Sequence, residues 1–341
     1  MDLDLEARKR GDDLRILITR LRYLGDVVLT TPAIAALKSR YPGAQVYYLT
    51  EESYSPILNK NPHLDGIISL GGSFVSLLRA IRSRRFTAVV DLFYNPRSAW
   101  LLFFSRIPIR LGGTRKWRRR LYTDTFTVPS NVRSAVDHHL HALRPFDVHG
   151  TVQPPRVYLL DDEIREGREL IARITGRDDG VVALHPGGTW PSKRWAPGAF
   201  ADLAVLIRQR TGMELLLVAG PEEEEIVRDV ASRVGEGIHI LPLQPTRRLA
   251  AVLRSCDAVV ANDGGVMHLS VALQRPTVGV FGPTEPEVWF PYESMGPYSV
   301  VTSVEECAPC HLHQCNDMRC LEGLKPEEVY KAFERVLKWR A

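Results

Sequence analysis

A chain of 341 residues with 45% hydrophobic side chains can bury a large core and is long enough for two domains. Its 44 basic and 40 acidic side chains nearly balance, and a formal net charge of +4 argues against a general nucleic-acid binder. No run of about 18 apolar residues offers a membrane span, and the acidic start, Met1-Asp-Leu-Asp-Leu-Glu6, lacks the regions of a secretory signal, so a cytoplasmic address is expected.

Leu14-Arg-Ile-Leu-Ile-Thr19 reads as a short buried strand and residues 25–38 as the helix after it. Asp26 therefore opens a helix at the carboxyl end of a strand, where open α/β sheets place their ligands. That position suits a helix N-cap and a catalytic carboxylate alike. Further strands are expected at 45–50, 65–70 and 87–92, with an amphipathic basic helix at 74–85. Alternation of this kind implies a parallel sheet covered by helices on both faces. A strongly apolar helix at 98–104 follows, and between positions 106 and 120 lie seven basic residues and no acid, with Trp117 among them. A histidine-bearing helix is expected at 136–148. Gly150-Thr-Val-Gln-Pro-Pro155 reads as the linker, dividing residues 1–155 from 156–341.

A second alternating series begins at about Asp161, with strands expected at 180–184, 214–219, 238–241, 258–261 and 277–281. Helices are expected at 198–211, 222–234 and 246–255, and an amphipathic terminal helix at 325–338 with Pro326 in its first turn. The expected class is α/β, two Rossmann-like domains facing each other across a cleft.

Two loops of the second series suit phosphate. In His185-Pro-Gly-Gly-Thr189-Trp-Pro-Ser-Lys193-Arg194-Trp195 the glycines allow close approach, Thr189 offers a hydroxyl, and Lys193 and Arg194 offer charge. Alone, that loop reads equally well as a surface turn. The other loop ends an apolar strand with Asp263, Gly264 and Gly265 and then starts a helix, whose free N–H groups and dipole favour an anion. Together at one sheet edge, the two favour a nucleotide site. His268, in the first turn of that helix, suits packing or a diphosphate contact. Asp263 suits an N-cap or a ligand contact. Neither loop reads Gly-x-Gly-x-x-Gly, which argues against a two-domain dehydrogenase.

Three motifs then converge: Ile16-Leu-Ile-Thr-Arg-Leu-Arg-Tyr-Leu-Gly25-Asp26-Val-Val-Leu-Thr-Thr-Pro-Ala33, the 185–195 loop, and Asn262-Asp263-Gly-Gly-Val-Met-His268-Leu. In this order they resemble glycosyltransferase family nine, which contains the ADP-heptose:lipopolysaccharide heptosyltransferases. Phe281-Gly-Pro-Thr284 and the late cysteines fit the same pattern. The resemblance implies a GT-B-type fold, with the acceptor on the N-terminal domain, an ADP-sugar on the C-terminal one, and the last helix packing back toward the first domain. It implies inverting transfer without a metal, Asp26 as general base, and Thr189, Lys193, Asp263, Gly264, Gly265 and His268 around the donor nucleotide. The implied reaction moves a sugar, heptose, to a lipopolysaccharide-core or similar glycolipid acceptor. The alternative is a noncatalytic nucleotide-sugar-binding protein of the same fold, against which the retained Asp26 speaks. Many members carry Asp-Thr-Gly or Asp-Ser-Gly where this chain has Asp263-Gly264-Gly265.

Three features stay open. Arg115, Lys116, Arg118, Arg119 and Arg120 suit a solvated surface, or a patch drawing a lipid-linked acceptor to the inner membrane face at about 1 kcal/mol per basic side chain. Glu222 to Glu225 suit a solvated helix start or a carboxylate for ribose hydroxyls. Cys307-x2-Cys310-x4-Cys315-x4-Cys320 suits a structural zinc site, an iron–sulfur cluster or free thiols.

Overall fold

Ile16, Leu17 and Ile18 are fully buried in β1 (Arg15–Thr19), the signature of a strand covered on both faces. A computed structural model describes residues 14–114, 116–303 and 305–339; the acidic start of the chain and Arg115 lie outside the described residues. The chain forms two compact units that divide between Tyr158 and Leu159.

In the first unit, β1 leads into α1 (Leu24–Leu29) and α2 (Thr31–Arg40). The single helix expected at 25–38 is broken because Pro32 has no N–H for the Val28 carbonyl. The Thr31 hydroxyl bonds that carbonyl instead at 2.8 Å. Then come β2 (Gln45–Glu51), β3 (Gly66–Leu70), α3 (Phe74–Ser83), β4 (Ala88–Asp91), α4 (Pro96–Ser105), β5 (Ile109–Gly113), β6 (Asp124–Phe126) and α5 (Ala135–His141). Ser73, Asn95 and Ser134 cap α3, α4 and α5 through their side-chain oxygens. The helix expected at 136–148 stops at His141, and a single 3-10 turn, Arg144–Phe146, holds Pro145.

The six parallel strands run β3-β2-β1-β4-β5-β6. Fully buried Asp91 ties the end of β4 to its neighbours, accepting from the Thr19 and Tyr122 hydroxyls, both at 2.7 Å, and from the N–H groups of Phe93 and Tyr94. Burial, with Asp91 beside it, pushes the Tyr122 phenol far up. Gly112 of β5 is required there, because a Cβ would overlap the Tyr122 ring.

The second unit contains α6 (Asp161–Thr175), β7 (Val181–His185), α7 (Pro197–Thr211), β8 (Glu214–Leu217), α8 (Glu224–Val234), β9 (Ile238–Ile240) and α9 (Thr246–Ser255). It continues with β10 (Ala258–Asn262), α10 (Gly265–Ala272), β11 (Thr277–Phe281), α11 (Pro286–Trp289), β12 (Tyr298–Thr302), α12 (Arg319–Glu322) and α13 (Pro326–Leu337). Its strand order is β12-β11-β10-β7-β8-β9, again all parallel. This is the order of the first unit repeated. The apolar face of α13 packs on this unit's own sheet. Val329, Phe333 and Val336 share a buried cluster with Leu184, Val260 and Val280.

Strand order reverses direction between β1 and β4, and between β7 and β10. Loops leaving such a pair of strand ends diverge and open a crevice for a ligand.

Candidate active site

At the crevice of the first unit, Asp26 is the third residue of α1. One carboxylate oxygen accepts the Tyr23 N–H at 3.0 Å and the other is ion-paired with Arg20. One oxygen thus caps the start of α1 while the other holds an ion pair. Arg20 was not anticipated as part of the site. Its guanidinium also donates to the Leu92 carbonyl at 3.0 Å and lies 5.1 Å from the Phe93 ring centre. It thus spans the ends of β1 and β4 and fixes Asp26, while a carboxylate retains lone pairs for a further donor.

The crevice of the second unit gathers both phosphate-ready loops. Lys193 Nζ is 2.6 Å from Asp263 Oδ2, and the Thr284 hydroxyl donates to the same oxygen at 2.6 Å. The Asp263 side chain is only 2% exposed and that of Lys193 14%. The ammonium also sits 4.5 Å from the Trp190 ring centre and 5.9 Å from that of Trp289. Asn262 locks the loops together. Its amide donates to the Pro186 and Gly187 carbonyls and its oxygen accepts the Trp195 N–H. Thr189 is exposed, whereas His268 is buried one turn into α10. Gly264 is extended, and a Cβ there would find open space, its nearest neighbour being the Asn262 oxygen at 3.8 Å.

Glu223 departs from the solvated helix start expected for its run; Glu222, Glu224 and Glu225 are exposed as that reading has them. The Glu223 carboxylate accepts from His185 Nε2 at 3.0 Å and from the N–H groups of Gly188 and Gly220 at 2.7 and 2.6 Å. It therefore ties the loop after β7 to the end of β8. A Cβ on Gly187 would overlap it. Burial works against its charge, but the His185 contact and the two N–H groups win and hold its carboxyl at about 2. Its ordinary value, 4.5, lies higher, so its stabilisation is complete above that pH and lost as pH falls from 4.5 toward 2. Replacing Glu223 by Gln should cost about 2–3 kcal/mol at neutral pH and flatten the acid side of the stability profile. Urea melts at pH 7, 4 and 2.5 measure this, and equal losses at all three would refute the linkage.

The cysteine segment braces these loops. The Trp190 and His313 rings stack at 3.8 Å, Ser192 bonds the Leu312 and His313 carbonyls, and the Cys310 and His311 N–H groups donate to the Pro283 carbonyl. Cys307, Cys310, Cys315 and Cys320 are free thiols. Burial raises the pKa of Cys320, and the three other thiols raise it further. Among the described residues no group of three or more His, Cys, Asp or Glu side chains is placed to hold a metal ion.

Of the basic run, Arg119 and Arg120 are exposed on the 3-10 turn Lys116–Leu121. Arg118 donates to the Tyr94 carbonyl at 3.1 Å, so part of its function is structural. No helix among the described residues is long and apolar enough to cross a membrane.

Two doubly wound units, each with a crevice at its switch point, form the architecture of GT-B glycosyltransferases. The family description "Glycosyltransferase family 9 (heptosyltransferase)" matches residues 74–320, and the chain belongs to that family of enzymes. It is 24% identical to lipopolysaccharide heptosyltransferase 3 of Escherichia coli over 295 residues, 80% of this chain and 83% of that one. Among solved structures, the glycosyl transferase family 9 protein from Veillonella parvula matches with a TM-score of 0.83 at 23% identity, over 96% of this chain and 97% of that one. The E. coli ADP-heptose lps heptosyltransferase II matches with a TM-score of 0.82 at 21% identity, over 95% and 98%.

Proposed function

We propose that the chain moves heptose from ADP-heptose to a lipopolysaccharide-core or similar glycolipid acceptor, inverting the anomeric centre and using no metal ion. The observation that carries this reading is the Lys193–Asp263–Thr284 cluster at the switch point of the second unit, directly before α10. Similarity to the E. coli ADP-heptose lps heptosyltransferase II supports the donor.

In this scheme the acceptor hydroxyl attacks the anomeric carbon and Asp26 takes its proton. The bond between that carbon and the β-phosphate oxygen breaks, and ADP leaves with added negative charge. Lys193 and the N–H groups at Gly264 and Gly265 receive that charge, with Thr189 and His268 completing the donor contacts. Arg115, Lys116, Arg118, Arg119 and Arg120 draw the lipid-linked acceptor to the chain at the cytoplasmic face of the inner membrane. The cysteine segment braces the donor loops, with or without a structural zinc ion.

Thermal melts with ADP, UDP, GDP and NAD test the donor, because selective binding adds RT ln(1 + [L]/Kd) to stability. ADP and ADP-heptose should stabilise selectively, and ADP should be released on addition of acceptor. Stabilisation by NAD instead would overturn the donor assignment, and binding without release would favour the noncatalytic alternative.

The chain's departure from the family's Asp-Thr-Gly or Asp-Ser-Gly gives a second test. The extended backbone and open space at position 264 accept a side chain, so Gly264→Ser should leave the melting temperature unchanged. The added hydroxyl should tighten ADP binding roughly 2- to 10-fold, the worth of one hydrogen bond. An unaltered Kd would mean that backbone donors already saturate the phosphates.

A further inference from the structure

Residues 71–123 contain 12 Arg and Lys side chains and a single acid, Asp91, which is fully buried. The exposed part of this stretch is thus uniformly cationic. Within it the second half of α4, past the exposed Arg97, is apolar inside and out: Leu101 and Leu102 are buried, while Trp100, Phe103 and Phe104 point outward at 41%, 39% and 44% exposure. A soluble helix ordinarily shows water a polar face. These rings also touch one another. Trp100 stacks on Phe104 at 5.6 Å and meets Trp117 at 6.0 Å, and Phe74 at the start of α3 meets Phe104 at 6.2 Å. Exposed aromatic side chains found singly need no explanation, but a contiguous set of five marks an interaction surface.

Arginines ring the patch. Arg79, Arg82, Arg106, Arg119 and Arg120 are exposed, and the Arg110 guanidinium lies 5.8 Å from the Phe103 ring centre. A second copy presenting the same face would set arginine largely against arginine, Asp124 beside Arg110 and Glu51 beside Arg97 being too few to balance them, which disfavours self-association. An anionic lipid surface meets both demands. Tryptophan and phenylalanine settle at the headgroup boundary, and arginines bind the surrounding phosphates. Either signal alone gives marginal anchoring, and the two together hold.

We infer that the aromatic patch of Phe74, Trp100, Phe103, Phe104 and Trp117, with its arginine rim, inserts into the interface of an anionic phospholipid membrane. The inference extends the docking proposed for residues 115–120 from charge alone to insertion. It is read without turnover, so it stands or falls separately from the catalytic assignment.

The test is partition of the full chain onto phosphatidylcholine vesicles with and without phosphatidylglycerol. The wild type should bind only the mixed vesicles. Trp100→Ser with Phe104→Ser should weaken binding at least about tenfold at any salt concentration. Arg119→Gln with Arg120→Gln should weaken it roughly fivefold per arginine at low salt and little at high salt. A wild type that binds no vesicles, or an aromatic variant that binds undiminished, overturns the inference. So does a dimer in sedimentation that the aromatic variant dissolves. Brominated lipid gives a readout free of folding effects: it should quench the wild type's tryptophan emission, and Trp100→Phe with Trp117→Phe, which keeps the rings, should lose that quenching. Equal quenching in both places these two residues outside the bilayer and overturns the inference.

Discussion

Asp26→Asn should lower kcat by roughly 10²–10⁴, the usual contribution of a positioned general base, while ADP affinity stays at the wild-type value. Asn nearly matches Asp in shape and its oxygen still accepts the Tyr23 N–H that the carboxylate holds at 3.0 Å, so the start of α1 survives. Arg20 keeps the Leu92 carbonyl and the Phe93 ring. The lost ion pair is partly exposed, so its removal should cost only about 0–1 kcal/mol. The donor contacts belong to the second unit and are untouched. Steady-state ADP release, with calorimetric titration of ADP, separates the two quantities. Unchanged kcat would reduce Asp26 to a helix cap, and lost ADP binding would show that the substitution disturbs more than the base.

The central strands of each sheet are legible in the sequence because parallel strands buried on both faces are nearly continuous apolar runs, as in Ile16-Leu-Ile18 and Val181-Val-Ala-Leu184. The edges are not. β5 ends in Gly112 and Gly113 and resembles a loop; the packing of the Tyr122 ring over Gly112 and its bond to Asp91 support it as a strand. β6 has three residues, and β12, Tyr298-Ser-Val-Val-Thr302, interrupts its apolar side chains with Ser299 and Thr302, so neither reads as a continuous apolar run. The break between α1 and α2 depends on Pro32 and on the Thr31 hydroxyl reaching the carbonyl that Pro32 cannot.

The site divides the same way. Lys193 and Asp263 are visible because each sits in a glycine-bearing loop after a buried strand. Their partners come from elsewhere in the chain. Thr284 closes on Asp263 from the loop after β11, the strand beside β10. Its position two residues past a glycine at the end of that strand was the available signal. Glu223 is one of four consecutive glutamates, all equally suited to a helix N-terminus. Only packing against Gly187 and His185 distinguishes it. The cysteine spacing suits a metal or free thiols alike, and it does not encode how the segment grips Trp190, Ser192 and Pro283 through backbone groups and a histidine ring.

Lys193→Met should damage both stability and activity, and the two losses can be separated. Met preserves the aliphatic stem between Trp190 and Trp289 but leaves the Asp263 carboxylate, 2% exposed, with the Thr284 hydroxyl as its remaining side-chain partner. An ion pair broken from one side in a buried setting costs about 3–5 kcal/mol, and the modest exposure of Lys193 places the expected loss near the lower end. Activity should fall further, by about 10²–10³ in kcat/KM, because the charge that receives the departing diphosphate is gone. Adding Asp263→Asn removes the stranded carboxylate, so the double variant should recover most of the melting temperature. It should not recover kcat/KM. Recovery of both would mean that Lys193 serves only to neutralise Asp263, and the leaving group would then have to be met by α10 alone. If Lys193→Met melts and turns over like the wild type, the 2.6 Å pair contributes neither to the fold nor to the reaction.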